Sequence, residues 1–160
     1  FLDDLVDLGK IRLVTDAYEK RGALRGVYTA VNAASKDFVA LVACDMIFPS
    51  RHLISAELET MMQEGTDVAV PKTQFGYEPF HAVYRRSTCL PVIYTAVEAG
   101  EAKATCWFDQ VRVTSFDAEA VAHAEPRGGC FINVNTPEEL AEAERKILAG
   151  EMLERGEFGA

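Results

Sequence analysis

Short, mainly apolar, strand-like runs alternate along this chain with longer stretches whose apolar residues recur at helical spacing. That is the pattern of βαβ units on a mostly parallel sheet. Strand-like runs occupy residues 11–15, 38–43, 67–71, 80–84 and, more weakly, 111–116. The run 38–43 is apolar at every position, as expected of a central strand with helices on both faces. Helices are predicted over 24–34, 50–65 and 87–99. The second places Leu53, Ile54, Leu58, Met61 and Met62 on roughly one face and stops at Gly65. The third ends at Gly100. Thr136-Pro137-Glu138-Glu139 has the form of a capping box, with Leu140, Ala143 and Ile147 as the apolar stripe behind it. The expected fold class is therefore α/β.

A length of 160 residues suits one domain with a real core, and no linker divides it. We read 1–150 as that domain and 151–160, polar and glycine-spaced, as a frayed tail. The formal net charge of −9 disfavours nucleic acid and anionic membrane as partners. It also disfavours phosphate-bearing molecules unless a local device offsets it: a divalent cation, a helix N-terminus or clustered Lys/Arg. The four cysteines, Cys44, Cys89, Cys106 and Cys130, form no C-x-x-C pair, which argues against a zinc site. With no secretory or long apolar segment, a soluble, reduced, cytoplasmic protein is expected. The chain starts at Phe1 within what reads as the end of a helix and a turn, so an upstream segment is expected.

In open α/β sheets, ligands bind beyond the carboxyl ends of the strands. The run 11–15 ends at Asp16 and the run 38–43 leads through Cys44 to Asp45. Asn133 and Asn135, two apart, share a side if their segment is extended. Asp45 can be read as a turn former, a helix cap or a metal ligand. The next helix starts only near Ser50, which places Asp45 poorly for capping and suits Mg²⁺ held by one or two protein ligands. Gly22 and Gly26 would let a base or ribose approach the backbone, or they mark an ordinary turn. Lys20, Arg21 and Arg25 are either the local positive cluster or a solvated loop face. His81 reads better as a strand histidine hydrogen-bonded to a neighbour than as a general acid or base. No Ser-His-Asp ordering or H-E-x-x-H motif supports a hydrolase.

Taken in order, several segments resemble the molybdenum cofactor guanylyltransferase family. They are Asp16 with Gly22-Ala23-Leu24-Arg25-Gly26, then Ala43-Cys44-Asp45-Met46-Ile47-Phe48-Pro49, then Glu78-Pro79-Phe80-His81-Ala82-Val83-Tyr84. The Cys89-Leu90-Pro91 helix and Phe131-Ile132-Asn133-Val134-Asn135-Thr136-Pro137-Glu138-Glu139-Leu140 complete the series. The resemblance implies a Rossmann-like sheet with helices on both faces, of the nucleotide-diphospho-sugar transferase type. It implies transfer of GMP from Mg-GTP to Mo-molybdopterin, with release of pyrophosphate. By motif position Asp45 would carry Mg²⁺, and Asp16, Gly22, Arg25 and Gly26 would serve the nucleotide. Asn133 and Asn135 would serve the pterin side or the metal. Contacts with molybdenum cofactor enzymes or carriers, and a homo-oligomer, are compatible with it. The family's opening glycine-rich loop with Arg and Lys has no match here, so it is expected upstream of Phe1. The competing readings are a related nucleotidyltransferase using CTP or a sugar phosphate, and an inactive nucleotide-binding module.

Overall fold

The computed structural model describes residues 11–150. The expectations for 1–10 and for the tail 151–160 lie outside the described residues. In chain order the elements are α1 (Ala23–Ala33), β1 (Phe38–Val42), α2 (Arg51–Glu64), β2 (Val68–Thr73), β3 (Gly76–Tyr77) and β4 (His81–Arg85). There follow α3 (Arg86–Glu98), a 3₁₀ turn (Phe108–Gln110), β5 (Val113–Phe116), α4 (Ala118–Ala124) and α5 (Pro137–Ala149).

The architecture is α/β, but the sheet is mixed rather than mostly parallel. β4 lies between β1 and β2 and runs antiparallel to both, with Val42 opposite His81 and Val68 opposite Tyr84. Among the described residues only β2 and β5 pair in parallel. The reason is connection length. β2 ends at Thr73 and β4 begins at His81, with the β3 hairpin between them. A parallel return needs a crossover of roughly a dozen residues or more.

Alternation sorts the strand residues onto two faces. Leu41, Val68, Val70, Ala82 and Tyr84 pack with Leu24, Val27 and Val31 of α1 and Cys89 and Ile93 of α3. Ala69 and Val83 point the other way, toward Leu53 and Met61 of α2 and Phe116. Helices thus cover both faces of the sheet.

Two expected strands differ from the structure. Residues 11–15 form no strand; Leu13 and Val14 are 71% and 52% exposed, with no ladder to bury them. The run at 38–43 does form β1, but among the described residues it is not flanked by strands on both sides: it pairs with β4 only, and Ala40 and Val42 are exposed. Among the described residues no helix is long and apolar enough to cross a membrane.

Candidate functional site

β1 gives way at Ala43 to a loop that reaches α2 at Ser50, and tethers fix this loop along its length. The Ala43 N–H donates to the Phe80 carbonyl at 3.0 Å. The Val134 N–H donates to the Asp45 carbonyl at 2.9 Å, and the Ile47 N–H to the Ile132 carbonyl at 3.3 Å. Met46 and Asn133 form an isolated antiparallel bridge. The segment carrying Asn133 is therefore laid directly beside the segment carrying Asp45. At the far end the Ser50 hydroxyl caps α2, accepting from the Leu53 N–H at 3.1 Å.

These tethers close one side of a cavity of about 560 Å³ whose walls include Gly26, Val42, Cys44, Asp45, Glu78 and Asn133. Asp45 Oδ1 and Asn133 Oδ1 are both buried, and neither has a hydrogen-bond partner among the described residues. A buried, unpaired carboxylate oxygen is costly unless a cation or donor meets it. A carboxylate oxygen and an amide oxygen, both unpaired and on adjacent segments, are a donor set that fits a hard divalent cation. Gly26, inside α1, lines the same cavity, and a Cβ built on it would meet nothing within 4 Å. Protein packing therefore does not require glycine there; the space lies open to the cavity. Glu78, a wall residue not singled out from sequence, is 8% exposed, and its Oε1 accepts from the Thr73 hydroxyl at 2.8 Å. Its signal was the acidic start of Glu78-Pro79-Phe80-His81, whose Phe80 is also in the wall.

The other expected site residues, Asp16, Gly22, Arg25 and Asn135, are not part of this cavity's wall. Asp16 is exposed, at the end of the irregular stretch before the bend at 17–20. Gly22 is the residue preceding α1, with an extended φ of 163°. Arg25 turns toward the Tyr18 ring, 6.0 Å from its centroid, and Tyr18 donates to Glu98 at 2.7 Å. Asn135 is exposed at the start of α5. Its N–H donates to Glu139 Oε2 at 2.6 Å, while the Thr136 hydroxyl accepts from the Glu139 N–H at 3.1 Å. That is the expected cap, with the carboxylate reaching one residue further back than in the usual box.

Behind the loop lies a buried polar group. His81 Nε2 accepts from the Ser50 N–H at 3.1 Å, so His81 is the neighbour-bonded strand histidine the sequence suggested. Its Nδ1 lies 3.7 Å from Glu57 Oε1, both side chains wholly buried. Burial pushes the Glu57 carboxyl up to about 7, with His81 pulling partly against it. The Ser50 hydroxyl donates to Glu125 Oε2 at 2.8 Å, and this bond, with Arg127, holds the Glu125 carboxyl below its ordinary range.

Comparison with known proteins points the same way. The family model described as MobA-like NTP transferase domain matches residues 2–115. The molybdenum cofactor guanylyltransferase of Desulfosudis oleivorans is 32% identical over 138 residues, spanning 86% of this chain and 67% of that protein. A probable molybdenum cofactor guanylyltransferase of Bacillus licheniformis is 33% identical over 141 residues, covering 87% and 70% respectively. Among solved structures, the molybdopterin-guanine dinucleotide biosynthesis protein A of Archaeoglobus fulgidus superposes with a TM-score of 0.74 at 21% identity. It covers 92% of this chain and 74% of that one, which establishes a shared fold. From the matched model and these relatives, the chain belongs to the MobA-like NTP transferase domain family, a family of nucleotidyltransferases.

Proposed function

We propose that this chain is a guanylyltransferase that moves GMP from Mg-GTP onto the terminal phosphate of molybdenum-bound molybdopterin. The observation that carries the reading is the pair of buried, unpartnered oxygens, Asp45 Oδ1 and Asn133 Oδ1, beside the open space at Gly26. Asp45 would hold Mg²⁺ with Asn133 as a neutral second oxygen. Among the described residues no three His, Cys, Asp or Glu side chains converge. Such a cation would therefore complete its shell with phosphate oxygens and water. When bound, it supplies the positive charge that a chain of net charge −9 needs to meet a triphosphate.

The chain's own part is placement. Gly26 leaves room for a base or ribose to approach the backbone. Asp16, Gly22 and Arg25 would complete the nucleotide side around the start of α1, and Asn135 would serve the acceptor side. An oxygen of the acceptor phosphate forms the new bond to the α-phosphorus, and the bond from that phosphorus to the bridging oxygen breaks. Pyrophosphate leaves. Alignment and a fixed electrostatic environment carry the rate, with no covalent enzyme intermediate. The names of the relatives support guanine and the molybdenum cofactor as the substrate classes. The test, on the full-length protein, is pyrophosphate release with Mo-molybdopterin as acceptor and GTP or CTP as donor. Release with GTP well above CTP is expected; release with CTP alone, or with neither, rejects the reading.

A further inference from the structure

The segments that carry Asp45 and Asn133 belong to different parts of the chain, and one buried ring touches both. His81, 0% exposed on β4, takes the Ser50 N–H on Nε2 at 3.1 Å, at the end of the loop that leaves Asp45. The Phe131 ring, two residues before Asn133, stands edge-on to the imidazole at 5.6 Å between centroids. Because Nε2 is the acceptor, the ring's proton sits on Nδ1, on the side of Glu57 Oε1 at 3.7 Å. The tautomer is thus set by the Ser50 N–H, while Nδ1 itself has no hydrogen-bond partner among the described residues. No part of the proposed transfer uses His81 as an acid or base. The cavity wall comprises Asp45, Glu78, Phe80 and Asn133 but not His81.

The geometry points to His81 as a positioning residue. It clamps the Asp45 loop, through Ser50, and the Asn133 segment, through Phe131, so that their two side-chain oxygens share one cation. This rests on the guanylyltransferase reading for its effect on turnover, but not for its effect on the loop. A rigid scaffold behind the reacting groups is what positional catalysis requires.

The test compares His81→Gln with His81→Asn in the full-length protein. Gln can present Oε1 near the position of Nε2 and accept from Ser50; Asn ends short of it. Two readouts are taken: amide hydrogen exchange at Ser50 and at Val134, whose N–H bonds the Asp45 carbonyl, and kcat with KM for Mg-GTP. His81→Gln should keep Ser50 protected and hold kcat within about threefold, whereas His81→Asn should lose protection and about tenfold to a hundredfold in kcat, with KM nearly unchanged. Equal exchange and equal kcat in the two variants would overturn the clamp and leave His81 as core filling. A folded His81→Gln protein with Ser50 unprotected would overturn it too, even if the Asn variant fails to fold. Exchange needs no turnover. An unmodified protein that releases no pyrophosphate would therefore reject the guanylyltransferase reading alone, and the exchange contrast would still decide the clamp.

Discussion

Gly26 makes the residue-scale argument in its simplest form. It lies within α1, where Ala is more stable than Gly by about 0.5–1 kcal/mol. No protein atom occupies the space a Cβ would fill. Gly26→Ala should therefore raise stability by about 0.5–1 kcal/mol while weakening GTP binding. Denaturant unfolding and calorimetry on the same variant check both. A stabilised protein with unchanged affinity would mean the nucleoside does not approach α1. From sequence, Gly26 was one member of a weak Gly-x-x-x-Gly spacing; its meaning comes from the cavity beside it. The same holds for Asp45 and Asn133. Each was legible as a polar residue at a strand end, but their adjacency depends on the Met46–Asn133 bridge across the intervening chain. Asn135, two residues on, was grouped with Asn133 by strand periodicity. The segment forms only that single bridge before turning into α5, which leaves Asn135 exposed at the helix start.

At the scale of elements, α2 was the most legible part of the chain. Ser50 caps it, and Gly65 ends it in the left-handed conformation at φ 68°, both as the pattern implied. What the pattern could not show is that Glu57, on an otherwise ordinary helix, faces β4 and meets His81. Burial of that carboxyl, only partly offset by His81, makes stability depend on pH. The folded pKa of Glu57, about 7, lies above the ordinary 4.5. Stability from its protonated form is thus fully present below pH 4.5 and is lost as pH rises through 7. Across that window the loss is about 3 kcal/mol. Glu57→Gln cannot ionise, so its stability relative to the unmodified protein should climb by about that amount between pH 4.5 and pH 7.5. Urea titrations across the range would show it; parallel curves would mean that Glu57 ionises without cost in the folded state. The direction of β4 was readable in principle, since the seven residues between Thr73 and His81 contain Gly76 and Pro79 and leave no room for a helical crossover. An apolar run alone gives no direction: a strand buried on both faces looks the same in parallel and antiparallel ladders.

For the whole molecule, two features stand apart from the packed core. β1 exposes Ala40 and Val42, and among the described residues nothing pairs with its outer edge. An open, apolar edge invites pairing with another chain, and an edge lysine opposes it. This chain should associate as concentration rises, and Ala40→Lys should shift it toward monomer in sedimentation velocity runs. A chain that stays monomeric at high concentration, with or without the lysine, would show that this edge is protected. The apolar sequence of β1 was legible; that it pairs on one side only among the described residues was not, because strand order is set by connections and not by composition.

The second feature is the site itself: an acidic molecule with two unsatisfied buried oxygens at the end of β1. The account turns on Asp45 as the anchor of a divalent cation that brings the triphosphate in. Calorimetric titration of GTP, with and without Mg²⁺, into the unmodified protein and Asp45→Asn tests it most directly. The unmodified protein should bind GTP at least about tenfold more tightly with Mg²⁺, a gain of about 1.4 kcal/mol. Asp45→Asn should lose that gain while its metal-free affinity and melting temperature stay as they were. An Asp45→Asn protein that keeps the full magnesium-dependent gain would contradict the account.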